Sequence, residues 1–403
     1  MRARRVVRKL PVLAAVSVAV VSVVVAPAGA SAAVPGGKPW IVSVGDSAIS
    51  GEAGRWAGNT EGSPSAVDAL GAGAYFDNTS RTAEQIPGCH RSESAEVHVG
   101  SGTGSLNLAC SGAQTSTLHT PGQDFKPGLD FYSDSTGHKS QSTMLKEFAA
   151  THRVTAVTVL IGANNYHFSD IVQTCVLDWY FSPSWAQRHC QDEPAMVADF
   201  STANIAAQTA VVTDALRNVR RAMDEAGYGP ESYTIIAQTY SSPIPAGGGF
   251  RYPESGYARA VAGCAVWDTD ANWVQSTVVP AMNKTIKKAV ADSGIGNITV
   301  MDAQNLLVGH RLCEKGVGEL EDGGVPSWTA PQAPDRTEWV EQVRTASTLF
   351  GPYQLQEDGH PNYWGQLALR NCLRQAYNGA PRSGSCTSAP GKNANGEPNT
   401  RFH

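Results

Sequence analysis

Four short stretches carry residue types that could together perform nucleophilic acyl transfer: "GDSAISGE" (45–52), "ACSGAQ" (109–114), "LIGANNYHF" (160–168) and "QEDGHPNYWGQ" (356–366). That chemistry needs a hydroxyl nucleophile, a base, a group to orient the base, and donors for an oxyanion. Ser47 supplies the hydroxyl, and His360 can take its proton, because a neutral imidazole works near neutral pH. The main-chain N–H groups of Ser47 and Gly112 and the side-chain amide of Asn164 could hold the negative oxygen. Glycine suits position 112 because it lets the backbone approach a reacting centre closely. The common serine elbow G-x-S-x-G is absent, since Ile49 stands two residues after the serine. Taken singly, each residue has a plainer reading. G-D-S makes a turn at a strand end, Gly112 a tight turn, Asn164 an Asx turn or helix cap, and His360 the start of a helix.

The elements around these stretches give them a common location. Apolar runs at 39–45, 105–110, 154–162, 233–239 and 297–303 read as buried strands. Helical patterns alternate with them. The longest covers 197–226, where Val197, Phe200, Ala203, Ala207, Ala210, Val211 and Leu216 recur at helical spacing before Gly227. Others cover 141–152, 273–294 and 362–377. The alternation predicts a parallel α/β sheet with right-handed crossovers. Ligands in such sheets bind beyond the carboxyl ends of the strands, where strand order switches. In a 2-1-3-4-5 sheet the serine after the first strand would face the asparagine after the third. Stretches rich in Gly, Pro and Ser at 58–74, 119–138, 240–265 and 316–335 exceed ordinary connections and are candidate binding loops. "VGSGTGSL" (99–106) precedes a strand instead of following one, so it reads as a hairpin or loop and not as a phosphate cradle.

In order and position, "GDSAISGE", "CSGAQ", "GANN" and "DGHPN" resemble the four sequence blocks of the SGNH (GDSL) hydrolase superfamily, and most closely its secreted actinobacterial esterases and lipases. The resemblance spans nearly all of residues 34–378. It implies a three-layer α/β/α sandwich with a flavodoxin-like parallel sheet, here carrying long disulfide-pinned loops, and an enzyme that hydrolyses carboxylic esters. It implies Ser47 as nucleophile, Ser47, Gly112 and Asn164 as oxyanion donors, and His360 as base. Two positions depart from the family pattern. Asn165 replaces the aspartate that usually closes the third block. The acid normally three residues before the histidine is Glu357, taken here as the third catalytic residue, with Asp358 or a main-chain carbonyl as alternatives for orienting His360.

The remaining features bound the setting. Residues 1–33 read as an export signal, with a basic start (Arg2, Arg4, Arg5, Arg8, Lys9), an apolar run and an A-x-A-like end. Losing those five cations takes the formal net charge from −5 to −10. An acidic chain argues against nucleic acid and anionic membranes as partners, and no later apolar run is long enough to span a bilayer. Residues 34–378 are expected to form the hydrolase domain and 379–403 a flexible C-terminal tail. We expect a secreted, extracellular monomer whose partner is an ester substrate at a lipid or polymer surface.

Eight cysteines in an exported chain suggest disulfides. They fall into neighbouring pairs, Cys89/Cys110, Cys175/Cys190, Cys264/Cys313 and Cys372/Cys386, although spacing alone does not fix connectivity. No C-x-x-C or H-E-x-x-H spacing occurs, so neither zinc nor any other cofactor is expected. Trp179, Tyr180, Phe181 and Trp185, between Cys175 and Cys190, offer either loop packing or an apolar platform for an acyl chain. The preferred substrate is a fatty-acyl lipid or a plant polyester of the cutin or suberin type. The alternatives are a carbohydrate deacetylase, a phospholipase, or a catalytically silent polymer-binding protein.

Overall fold

The computed structural model describes residues 34–119, 124–344, 351–378 and 382–403. The expected export signal lies outside the described residues. Seven strands form one sheet: β1 (Trp40–Gly45), β2 (Gly104–Asn107), β3 (Val154–Leu160), β4 (Thr234–Gln238), β5 (Ile298–Asp302), β6 (Gly384–Lys392) and β7 (Pro398–Phe402). Their order is β2-β1-β3-β4-β5-β6-β7, parallel up to β6, with β7 antiparallel at the edge. The first five strands therefore take the flavodoxin-like order that the family resemblance implied.

Side chains alternate across a strand, so each central strand feeds two cores. Val42, Val44, Val157, Val159 and Ile235 pack on one face with Leu145 and Ala149 of the helix Gln141–Ala149 and with Val212, Leu216 and Val219 of the helix Thr202–Glu225. Ile41, Ala156 and Ile236 point the other way, into a core shared with Leu367, Ala368 and Leu369 of the helix Tyr363–Asn378. The result is three layers.

Some details differ from the sequence reading. The pattern at 197–226 is two helices, Pro194–Asp199 and Thr202–Glu225, because Ser201 leaves the helical conformation and its side chain caps the second by accepting from Asn204 N. The pattern at 273–294 contains a π turn, Val274–Val278, before Pro280, which has no N–H to donate back. The larger correction concerns 382–403, the described part of the expected tail 379–403. Where a flexible tail was expected, β6 and β7 extend the sheet. The polar composition hid three fasteners: the Cys372–Cys386 disulfide, the turn closed by Asn393 N on Glu397 O at 2.8 Å, and Arg374 Nη2 on Glu397 Oε1 at 2.6 Å.

The cysteines pair sequentially, as Cys89–Cys110, Cys175–Cys190, Cys264–Cys313 and Cys372–Cys386. No helix among the described residues is long and apolar enough to cross a membrane.

Candidate active site

Ser47 sits two residues beyond Gly45, the positive-φ end of β1. Gly45 has φ +143°, and a Cβ there would lie 1.9 Å from the Leu160 oxygen, so only glycine fits between β1 and β3. The Gln141 side chain holds both polar groups of Gly45, accepting from its N–H at 2.6 Å and donating to its oxygen at 2.8 Å. Asp46 then caps the one-turn helix Ser47–Ser50 by accepting from Ala48 N at 3.2 Å. Its other oxygen takes a hydrogen bond from the Tyr240 hydroxyl, and the same Tyr240 oxygen accepts from Ala163 N at 2.8 Å. Burial raises the Asp46 carboxyl to about 7, against the lowering effect of Tyr240 and Ala48. Tyr240, just past β4, therefore joins the residue before Ser47 to the residue before Asn164. Nothing in the sequence singles it out except its place after a strand end.

His360 reaches Ser47 from the turn before the last helix. Asn362 caps that helix, accepting from Trp364 N at 3.1 Å, and Gln366 Nε2 donates to Ala48 O at 2.9 Å, so helix and serine turn are tied together. His360 Nε2 lies 2.7 Å from Ser47 Oγ. Its Nδ1 lies 3.1 Å from the main-chain oxygen of Asp358. A carbonyl can only accept, so Nδ1 carries the hydrogen and Nε2 is left with a lone pair facing the Ser47 hydroxyl. Burial lowers the His360 pKa; the field of Glu52 and the carbonyls of Asp358 and Glu357 act in the opposite direction.

Glu357 does not take the role expected of it. Its oxygens accept from Tyr75 OH at 2.6 Å, Trp56 Nε1 at 2.8 Å and Gln354 N at 2.8 Å. It organises the buried turn that carries His360 instead of touching the imidazole. The Asp358 side chain does not take the role either, and burial pushes its carboxyl up to about 8. The backbone oxygen, held open as an alternative, occupies the position. A second buried pair, Glu52 Oε1 and His90 Nδ1 at 2.6 Å, lies within electrostatic range of His360 and escaped the sequence reading.

The oxyanion candidates converge on the same cavity, which measures about 530 Å³ and is lined by Ser47, Gly112, Asn164 and His360. Gly112 has φ +77°, a conformation that favours glycine, and its loop is pinned by Cys89–Cys110 and by Ser111 N on Cys89 O at 3.1 Å. Buried Arg91 satisfies the Leu108 and Ala109 oxygens at 3.0 and 2.7 Å, which holds the chain beyond β2 in place. Asn164 Nδ2 donates one hydrogen to Ala113 O at 2.9 Å, which joins the two donor loops and fixes the amide. Asn165, the departure in the third block, accepts from Thr115 N at 3.2 Å and donates to Thr115 Oγ1 at 3.0 Å, a structural bridge between the same loops.

The apolar wall comes mainly from residues ahead of the Cys175–Cys190 loop and not from the aromatic residues within it. Phe168, Val172 and Val176, one face of the helix Phe168–Phe181, line the cavity. They continue into a smaller apolar recess of about 70 Å³ bounded by Ile244, Val266 and Leu312. Trp179 does not join a platform; it packs on Trp267 with ring centres 5.8 Å apart, and its Nε1 donates to Glu254 O at 2.9 Å. Phe181 and Trp185 are exposed, and Leu177 is partly so at the cavity rim.

Comparison with known proteins adds the following. No family model and no curated protein matches the chain. Among solved structures, the extracellular lipase of Streptomyces rimosus superposes with a TM-score of 0.44 at 18% identity, covering 84% of this chain and 99% of that one. Phospholipase A1 of Streptomyces albidoflavus NA297 gives 0.45 at 18% identity with the same coverages. A carbohydrate acetylesterase of Sinorhizobium meliloti gives 0.28 at 12% identity, covering 65% and 84%.

Proposed function

We propose that the protein is a serine esterase that hydrolyses carboxylic esters with an apolar acyl part. The observation that carries this reading is the Ser47 Oγ to His360 Nε2 contact of 2.7 Å at the mouth of a cavity walled by Phe168, Val172 and Val176. The cavity volume is within the range of small-molecule sites. In the reaction, Ser47 Oγ attacks the ester carbonyl as its proton passes to His360 Nε2. The Asp358 carbonyl stabilises the resulting imidazolium through Nδ1–H. Ser47 N–H, Gly112 N–H and the free hydrogen of the Asn164 amide receive the oxyanion. The proton then leaves with the alcohol, and water, activated by the same imidazole, releases the acid.

A fatty-acyl lipid or a hydroxy-fatty polyester such as cutin or suberin suits the wall, and four disulfides suit an extracellular setting. A phospholipid is the second reading, favoured by Lys126, whose side chain borders the Gly112 edge of the cavity. Labelling by a fluorophosphonate that disappears in Ser47→Ala, with higher kcat/KM on octanoyl and decanoyl esters than on acetyl esters or acetylated xylan, is the expected result. Absence of labelling and of hydrolysis on all of these would leave a binding protein, and preference for acetylated xylan would make it a deacetylase.

A further inference from the structure

Away from the catalytic cavity, His119, Asp134 and His138 each bring one ligand atom within 4.8 Å of the others, a grouping found once among the described residues. His138 Nδ1 lies 3.1 Å from Asp134 Oδ2, and His119 Nδ1 lies 3.4 Å from that same oxygen. Ligand atoms held tetrahedrally at about 2.0–2.1 Å from a zinc ion stand roughly 3.3 Å apart. Two edges of such a site therefore already have the right length. The carboxylate is also preset. Asp134 Oδ1 accepts from Thr136 Oγ1 at 2.6 Å, Thr136 N at 2.9 Å and His138 N at 3.0 Å, which leaves Oδ2 turned to the imidazoles. The Tyr132 hydroxyl lies 2.9 Å from His119 Nδ1 and 3.1 Å from Asp134 Oδ2, near enough to donate to the carboxylate beside a bound ion. Phe125 stacks on the His138 ring and meets the His119 ring edge-on, fixing both planes.

We propose that His119, Asp134 and His138 form a binding site for a divalent transition metal of the zinc class, separate from the ester-cleaving residues. Two imidazoles and one carboxylate suit Zn²⁺, Ni²⁺ or Cu²⁺ and not the oxygen-seeking Mg²⁺ or Ca²⁺. Ligation exchanges the 2.7 Å contact of His138 Nδ1 with Thr136 Oγ1 for a bond to the ion, and solvent completes the shell. The set matches neither C-x-x-C nor H-E-x-x-H spacing, because only Asp134 and His138 are near one another in sequence. The site has a structural consequence. Leu118 and Lys126 pair through both main-chain groups at 2.9 Å, so His119 and Phe125 lie just beyond that pairing. Lys126 Nζ in turn donates to Gly88 O at 2.7 Å beside Gly112. An ion at the three ligands anchors the backbone that supplies Lys126 to the cavity.

Calorimetric titration of ZnCl₂ into untagged, EDTA-stripped protein at pH 7.5 tests this, with His138→Ala and Asp134→Asn alongside and circular dichroism to confirm folding. The expected result is saturable binding of one equivalent, weakened at least tenfold in both variants, with no heat from MgCl₂. Zinc should also raise the Tm of the parent and not of His138→Ala, since an ion bound only by the folded state stabilises it. No saturable binding, or binding that His138→Ala leaves unchanged, would overturn the proposal and reduce the cluster to a hydrogen-bonded turn.

Discussion

The imidazole of His360 is oriented by the backbone of Asp358, whose carbonyl oxygen lies 3.1 Å from Nδ1, and not by a carboxylate. A carbonyl dipole fixes the tautomer as a carboxylate would, but it supplies no full charge to the imidazolium. Changing either nearby acid should therefore cost little in rate. We expect Asp358→Asn and Glu357→Gln to keep kcat within about tenfold of the parent, whereas His360→Ala loses roughly 10⁴-fold or more. Glu357→Gln should instead lose stability, by about 1–3 kcal/mol, because an amide cannot accept from Tyr75, Trp56 and Gln354 together. Steady-state rates and urea melts of the three variants decide it. A kcat for Glu357→Gln as low as that of His360→Ala would return the orienting role to the carboxylate.

The pH profile has a predictable sign. His360 acts as a base only when neutral, and burial lowers its pKa below the ordinary value of about 6.5. The acidic limb of kcat/KM should therefore lie below pH 6.5. Glu52 opposes that shift, since its negative field favours the imidazolium. Glu52→Gln removes the field and should move the limb to still lower pH, with the plateau rate little changed. A limb that stays put in Glu52→Gln, measured on a neutral ester, would show that the two groups are not coupled.

Tyr240 is a positioning residue, and its loss should separate rate from binding. Its hydroxyl serves Asp46 and the Ala163 N–H together, so Tyr240→Phe leaves two buried polar groups without that partner. About 1–3 kcal/mol of stability should go with it. Because Asp46 precedes Ser47 and Ala163 precedes Asn164, both the proposed nucleophile and a proposed oxyanion donor should loosen. We expect kcat to fall roughly tenfold with KM unchanged, since geometry near the reacting atoms affects the transition state more than ground-state binding. An unchanged kcat alongside a lowered Tm would make Tyr240 a packing residue only.

These cases also show what the sequence exposes and what it hides. Strands β1, β3 and β4 were legible because strands buried on both faces are continuous apolar runs, β2 and β5 because each keeps a short apolar core, and Ser47, Gly112 and Asn164 were legible because each follows one of these five. The orienter of His360 was not, because a backbone oxygen has no residue type, and Glu357 in the expected position braces the turn that carries His360 without touching the ring. Tyr240 and Glu52 act through partners 194 and 38 positions away, Asp46 and His90; only the fold brings such pairs together. Strands β6 and β7 were missed because a polar, glycine-containing hairpin fastened by a disulfide has the composition of a tail.

Acyl-chain preference should be set by the cavity face of the helix Phe168–Phe181 and not by Trp179 or Trp185. Val172 and Val176 are one turn apart, line the catalytic cavity, and also bound the recess beyond it. Val176→Trp places a ring where the chain of a long acyl group would run, while leaving the space next to Ser47 that an acetyl group needs. We expect kcat/KM on decanoyl esters to fall at least tenfold and that on acetyl esters to change by less than about threefold, since pocket contacts discriminate by roughly 1–3 kcal/mol per misfitted group. Trp185→Ala, on the exposed side, should leave the ratio between the two esters as it is. If Trp185→Ala shifts that ratio and Val176→Trp does not, the acyl chain lies along the exposed aromatic residues and not in the cavity.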